Sequence, residues 1–209
     1  MAIKVAVNRA LTAITALPTA AALTNGNLTL LTTATASSSA TLSFASNIDS
    51  TYDSYLFKFY NMHPATNDAS FTFNMSVDSG SNYNVTKTTT THRAYHAEDD
   101  SEAVLEYDSG QDLAQSTAFQ GILRFIGNGN DECGSGTLHI FNPSSTTFVK
   151  HFIASGNTYY GGDYSFNDFT AGYGNTTSAV DAVQFKMSSG NIDAGTIKMY
   201  GVGDKQSWL

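Results

Sequence analysis

Hydrophobic and polar residues alternate with a period of two along most of the chain after Thr41. The segment SYLFKFYNM is a clear case, since Tyr55, Phe57 and Phe59 fall on one side of an extended chain. Successive side chains of a β-strand point to opposite faces, so this spacing indicates a strand with one buried face.

The same pattern recurs at intervals towards the C-terminus. SFTFNMSV places Phe71, Phe73 and Met75 together, and TIKMY places Ile197 and Met199 together. Further alternating stretches are ATLSFA, NVTKTTTTHRAY, TAFQGILRFIG, GTLHIFN, TFVKHFIAS, FNDFTAGYG and AVDAVQFKMSS. About nine to eleven short strands without intervening helices predict an all-β domain, an antiparallel two-sheet sandwich of the jelly-roll type.

Two regions depart from this pattern. The acidic segment 97–116 tolerates helix, and we expect a long loop with one helical turn there. Residues 1–40 are rich in Ala, Thr and Leu, contain no aromatic residue and have too little bulk for a core of their own. We therefore predict an N-terminal anchoring or assembly arm at 1–40, a β-sandwich domain at 41–203 and a short tail at 204–209.

The predicted arm carries apolar side chains that have no large partner within the arm itself. They are Val5, Val7, Leu11, Ile14 and Leu17. Complete burial of such a side chain contributes about 1.5–3 kcal/mol, so we expect these residues to pack on another chain. Thr12, Thr15 and Pro18 interrupt the apolar stretch, which argues against a secretory signal peptide. No run of apolar residues is long enough to span a membrane, so we predict no membrane insertion.

Composition supports the β prediction and narrows the function. Charged residues make up only 13% of the chain, about half the usual share for a globular protein. The formal net charge is −8, and nothing in the composition would neutralise phosphates, so we predict no nucleic-acid partner. Cys133 is the single cysteine, so the chain has neither an internal disulfide nor an ordinary cysteine-based zinc site.

Residues that could carry chemistry are few. His92 and His96 lie four apart on a predicted strand, where they share a face but stand too far apart to hold one metal ion. The acidic residues Asp99, Asp100 and Glu102 offer oxygen ligands to calcium, although the spacing of a calcium-binding loop is missing. No pair of carboxylates, nucleophile motif or phosphate loop is recognisable. We predict no catalytic residue, no metal site and no cofactor.

A tyrosine-rich segment is the remaining feature. In NTYYGGDYSFNDFTAGYG, the residues Tyr159, Tyr160, Tyr164 and Tyr173 lie on or beside turns rich in Gly, Asn and Asp. Exposed aromatic rings of this kind stack on sugars or fill protein interfaces, and otherwise they cap the end of a core. We take these four tyrosines as candidate glycan or interface residues.

The chain also resembles a known group of proteins. NIDSTYDSYLFKFYNMHPATNDASFTFNMSVDSGSNY, FNPSSTTFVKHFIASGNTYY and TTSAVDAVQFKMSSGNIDAGTIKMYGVG are similar to virion structural proteins of marine and cyanobacterial tailed phages. The resemblance covers roughly residues 41–203 and carries no catalytic signature. It implies a β-sandwich module, often trimeric, that is displayed on a phage particle.

From these observations we predict a non-enzymatic bacteriophage virion protein on the particle exterior, in a head-decoration or head-fibre role. The alternative is a receptor-binding head of a tail fibre that recognises host surface glycan through the tyrosine-rich segment. A sugar-cleaving depolymerase is a weaker third hypothesis, because it lacks a carboxylate pair. The expected partners are copies of the same chain, as a trimer, and other capsid or tail proteins. The expected location is the virion, assembled in the host cytoplasm.

Overall fold

The computed structural model describes residues 28–203, and within this range it contains twelve β-strands and no helix. The strands are β1 (Leu28–Ser39), β2 (Leu42–Phe44), β3 (Ser54–Pro64), β4 (Ala69–Ser76), β5 (Lys87–Ala97), β6 (Ala103–Tyr107), β7 (Gln120–Ile126), β8 (Gly134–Phe141), β9 (Lys150–Tyr160), β10 (Tyr164–Gly174), β11 (Ala182–Met187) and β12 (Ile192–Val202). The all-β prediction is confirmed.

All twelve strands belong to one antiparallel hydrogen-bonded sheet. Its main path runs β1-β12-β3-β8-β9-β7-β4-β11-β2, and β10, β5 and β6 continue from β9 in that order. A single residue pair, Ile126 with Tyr160, links β7 to β9. The two ends of the path, β1 and β2, follow each other directly in the chain, so the sheet is nearly closed. The predicted division into two sheets of a jelly roll stays a prediction.

Aromatic rings fill the centre of the nearly closed sheet. Phe185 on β11 lies 5.3–5.9 Å, centroid to centroid, from Phe44, Phe57, Phe59 and Phe71. Edge-to-face and offset ring pairs of this kind add about 0.5–1.5 kcal/mol each to the free energy of burial. These contacts hold β2, β3, β4 and β11 together across the interior.

The alternation that predicted β3, β4 and β12 is confirmed in the burial of their side chains. Phe57, Phe71, Phe73, Ile197 and Met199 are fully buried. The opposite face of β4 also contacts protein, because Asn74 and Ser76 are completely buried. Hydrogen bonds from Asn74 Nδ2 to the carbonyl oxygens of Tyr83 and Thr117 satisfy this buried amide.

Around β5, β7, β9 and β10 the interior is polar. Completely buried side chains there include Lys87, Thr91, Arg124, Lys150 and Asp168. Strand β5 is rich in Thr, a composition that would suit contact with solvent. Its inward face is instead buried, and Thr89 Oγ1 donates a hydrogen bond of 2.7 Å to Gln120 Oε1.

The structure differs from the predicted elements at two further places. The expected helical turn in 97–116 is wrong, since Ala103–Tyr107 form strand β6 against β5. Part of the predicted arm, Leu28–Ser39, is strand β1 and pairs with β12 of the same chain. The rest of the arm, including Val5, Val7, Leu11, Ile14 and Leu17, and the tail after Gly203 lie outside the described residues.

Candidate functional site

The hairpin of β9 and β10 brings two of the predicted tyrosines together. Tyr160 and Tyr164 are directly paired across the strands, and the turn between them is Gly161–Asp163. Paired residues of neighbouring strands point to the same face, so both rings lie on the inward side of the sheet. Tyr164 also pairs with Ala97 of β5, which brings a third strand to the same place.

An open cleft of about 360 Å³ lies between these rings and the neighbouring strands. Its walls are mostly aromatic and come from β5, β7, β9 and β10: Tyr95, Phe125, Tyr160, Tyr164 and Phe166. Arg93, Glu102 and Gly162 complete the lining. The volume falls within the range of small-molecule sites in proteins, and mostly apolar walls with a few polar groups are typical of such sites.

The aromatic walls are held by contacts among the rings themselves. Tyr95 and Phe166 stack in parallel, with centroids 5.7 Å apart and planes inclined by 2°. Tyr95 also makes an edge contact of 5.7 Å with Tyr164, which in turn lies 5.7 Å from Tyr160. The cleft therefore presents a set of rings whose orientations are fixed before any ligand binds.

Phe125 enters the cleft because of an irregularity in β7. Ala69 pairs with Ile126 and Phe71 pairs with Leu123, so β7 has one more residue than β4 over this stretch. Phe125 itself has a φ of 53°, an unusual backbone conformation for a bulky residue. This β-bulge directs the ring towards Tyr160 and Phe166, at 6.0 and 5.5 Å. Strained positions of this kind concentrate at functional sites.

One carboxylate is positioned at the rim by two tyrosine hydroxyls. Tyr95 donates a hydrogen bond of 3.1 Å to Glu102 Oε1, and Tyr164 donates one of 3.3 Å to Glu102 Oε2. Partial burial, followed by the adjacent negative charge of Glu102, raises the pKa of both tyrosines, so the hydroxyls remain donors at neutral pH. A carboxylate has room for about four hydrogen bonds, which leaves Glu102 able to accept from ligand hydroxyls.

A network of charged side chains lies behind the aromatic walls. Arg124 donates from Nε to Asp168 Oδ1 at 2.6 Å and from its backbone nitrogen to Asp168 Oδ2 at 2.8 Å. Asp108 Oδ2 accepts from Arg124 Nη1 at 2.7 Å and also lies 3.2 Å from Nη1 of Arg93. Glu106 forms a further ion pair with Arg93. Burial raises the pKa of Asp168, while the charge of Arg124 opposes that rise.

The guanidinium groups of Arg93 and Arg124 also contact the aromatic rings of the cleft. Arg93 lies 5.7 Å from the ring centroid of Tyr95 and 5.9 Å from that of Phe166. Arg124 lies 5.7 Å from Phe166 and 5.8 Å from Phe125. Cation–π contacts at such distances contribute from about 0.5 to 2 kcal/mol, depending on solvent exposure.

The structure divides the four tyrosines predicted from the sequence. Tyr160 and Tyr164 line the cleft, whereas Tyr159 and Tyr173 point to the opposite, outward face of the same sheet. Each of the four is partly exposed. Tyr159 donates a hydrogen bond of 3.2 Å to Asp163, and this bond raises the pKa of Tyr159 to about 12.

Sequence reasoning did not assign the other aromatic walls of the cleft, and it considered Glu102 only as a possible calcium ligand. Tyr95, Phe125 and Phe166 lie on three different strands, and Glu102 precedes a fourth. Tyr95 and Phe166 could have been found from the alternation of β5 and β10. Once these strands are paired with β9, both residues lie on the same face as Tyr164. No local signal marks Phe125, because its direction depends on the bulge.

The other residues considered from the sequence have separate partners. His92 and His96 lie on the outward face of β5, where His96 Nε2 is 3.1 Å from Asp100 Oδ1. Asp99 accepts a hydrogen bond from the backbone nitrogen of Ser101. Among residues 28–203, no group of three or more His, Cys, Asp or Glu side chains is placed to hold a metal ion.

Comparisons with known proteins do not assign this site. The chain matches no protein-family model, no curated protein and no solved structure. In the described part of the chain, no helix has the length and apolarity that crossing a membrane requires.

Proposed function

We propose that this protein is a non-enzymatic virion protein on the exterior of a bacteriophage particle, and that its aromatic cleft binds glycan of the host surface. The virion assignment is supported by the sequence resemblance described above. The glycan assignment is supported by the cleft, in which aromatic rings from four strands surround the carboxylate of Glu102. We also propose that the nearly closed sheet is a two-sheet sandwich of the jelly-roll type.

The chemistry of the cleft suits a sugar. A pyranose ring offers a face of C–H groups that packs on the electron-rich face of an aromatic ring, and Tyr160 and Tyr164 provide such faces. Sugar hydroxyls are good donors to a carboxylate, and Glu102 is held at the rim by Tyr95 and Tyr164. This combination carries the proposal.

Binding without cleavage is the simplest use of this arrangement. Hydrolysis of a glycosidic bond usually needs two carboxyl groups on opposite sides of the sugar. Glu102 is the one carboxylate that lines the cleft in the described part of the chain. Its position at the rim, paired with two hydroxyls, supports a role in orienting the ligand.

Whether the protein lies on the head or on the tail of the particle is a separate question. A glycan-binding cleft favours the tail-fibre alternative, because attachment to the host requires recognition of its surface. A head-decoration protein with the same cleft would also bring the particle to the cell. Many copies on one particle multiply the weak affinity of a single cleft for a sugar, in either place.

The test is binding of purified protein to host lipopolysaccharide and to a panel of oligosaccharides, measured by calorimetry and glycan microarray. Tyr164→Ala removes one ring and one hydroxyl partner of Glu102, and we expect a loss of at least tenfold in affinity. Tyr60→Ala is the matched control, because Tyr60 is 40% exposed but lies on β3, outside the cleft. Unchanged binding by Tyr164→Ala, or equal loss by Tyr60→Ala, would contradict the proposal.

A further inference from the structure

The outward face of strands β8, β9, β10, β5 and β6 has a composition unlike the rest of the chain. Strand pairing places every second residue on this face: 135–141 in β8, 151–159 in β9, 165–173 in β10, 88–96 in β5 and 103–107 in β6. None of these outward residues is Asp, Glu, Lys or Arg. The chain as a whole has 10 basic and 18 acidic residues. We call this surface the uncharged face.

Apolar side chains lie exposed across the uncharged face, from β9 and β10 near its middle to its edge strand β6. Phe169 is 42% exposed, Tyr107 48%, Ile153 42% and Leu105 80%. Phe169 and Tyr107 flank His92 in one row across β10, β5 and β6. Depletion of charge together with exposed aromatic residues is what distinguishes the centre of a protein interface from ordinary surface.

A depression lies beside the projecting ring of Phe169. It has a volume of about 330 Å³, and its rim includes Phe141, Ile153 and Tyr173. It forms where the small residues Ala171 and Gly172 follow Phe169 along β10. A projection and a hollow side by side on one face are complementary to the same face of a second copy, when a two-fold axis passes between them.

The size of the face also fits a second copy. Five strands about 4.8 Å apart and outward residues about 6.8 Å apart give roughly 700 Å², close to the 800 Å² per partner of a standard interface. Two copies with a net charge of −8 repel each other, and a contact centred on Phe169 avoids like-charge pairs at its middle. Carboxylates enter at the edges of the face, where Asp100, Asp112 and Asp163 bond to outward side chains. A charged partner would find no opposite charge on this face to select it.

We propose that two copies of this chain associate through the uncharged face, with Phe169 of each copy seated in the depression beside Ala171 of the other. The contact leaves the cleft free, because the cleft opens on the inward side of the same strands. It is independent of the glycan proposal. It produces a dimer, whereas the sequence resemblance implies a trimer, so the mass of the assembly separates the two.

Analytical ultracentrifugation of the full chain tests this proposal. We expect wild-type protein to sediment with twice the monomer mass of 22.3 kDa at micromolar concentration. Phe169→Asp puts a charge at the centre of the face, and Ala171→Trp fills the depression. Each variant should weaken dimerisation at least 100-fold, while circular dichroism shows an unchanged β-sheet.

Leu30→Asp is the matched control, because Leu30 is 51% exposed on β1, outside the uncharged face. It should dimerise like the wild type. A monomeric wild type, a trimer, or an assembly that persists in both Phe169→Asp and Ala171→Trp would overturn the proposal. Dissociation caused equally by Leu30→Asp would also overturn it, since the contact would then lie elsewhere.

Discussion

The two halves of the interior are stabilised by different interactions. Between β2, β3, β4 and β11, the interior is a cluster of phenylalanine rings centred on Phe185. Around β5, β7, β9 and β10, the buried side chains include Lys87, Lys150, Arg124 and Asp168. The first half tolerates small shifts, because the hydrophobic effect is non-directional. The second half depends on geometry, because a buried polar group without its partner costs several kcal/mol.

This difference explains where the cleft lies. The cleft borders the polar half, and the pairs of Arg124 with Asp168 and of Arg93 with Asp108 hold the strands that supply its rings. Directional bonds fix the rings of Tyr95 and Phe166 more narrowly than apolar packing alone would. Buried ion pairs contribute little net stability. The free energy of folding therefore comes mainly from the aromatic half.

The largest expected effect on stability is in the aromatic half. Phe185→Ala removes a ring that touches four others and leaves a cavity, so the free energy of unfolding should fall by about 3–5 kcal/mol. Urea denaturation measures this change. Phe148→Ala is the control, since Phe148 is 69% exposed and its removal should change stability by less than about 0.5 kcal/mol. Equal effects of the two substitutions would contradict this account of the core.

The next effect tests the directional half. Arg124→Met leaves the buried carboxylate of Asp168 without its guanidinium partner and with only the backbone donor, and the free energy of unfolding should fall by about 3 kcal/mol. Arg124→Met combined with Asp168→Leu removes both charges and should recover most of that loss. Urea denaturation of the single and double variants gives the coupling between the residues. Additive losses would mean that the pair is not what holds β7 to β10.

The third prediction concerns pH and Lys87, and its effect per pH unit is smaller than that of either substitution above. Burial lowers the pKa of Lys87 from 10.5 to about 7, and within residues 28–203 its ammonium donates to Asn74 Oδ1 and the carbonyl of Val85. Between pH 7 and 10.5 the unfolded chain binds a proton that the folded chain does not, so stability should rise with pH. The slope from this group is about 1.4 kcal/mol per pH unit in the middle of that window.

Thermal or urea unfolding at pH 7.5, 8.5 and 9.5 measures this slope, and Lys87→Met is the comparison because it removes the titrating group. The difference in slope between the two proteins isolates Lys87 from other groups, such as Lys150, whose pKa burial also lowers. Above pH 10 the trend should reverse, since burial raises the pKa of Tyr55 to about 12 and the unfolded chain loses that proton first. Identical slopes in both proteins would show that Lys87 remains charged.

The sequence alone determined the strands that have one strongly apolar face. In β3, β4 and β12 the large residues Phe57, Phe71 and Met199 recur at a period of two, and burial follows from that pattern whatever the strands pair with. Tyr160 and Tyr164 were recognisable for a similar reason, since they flank a local turn of Gly and Asp.

Only the tertiary structure decided the rest. Strand β1 is rich in Thr, Ala and Ser, and its inward face carries small residues such as Ala34 and Ala36 and no large apolar repeat. It is a strand because β12 offers it backbone partners. Lys87 is buried where its ammonium reaches Asn74 of β4, and Thr91 is buried on the inward side of the pair formed by β5 and β10. The cleft needs β5, β7, β9 and β10 in register, and a bulge at Phe125. Such long-range pairings leave no trace in a local pattern, because each strand carries only its own half of the contact.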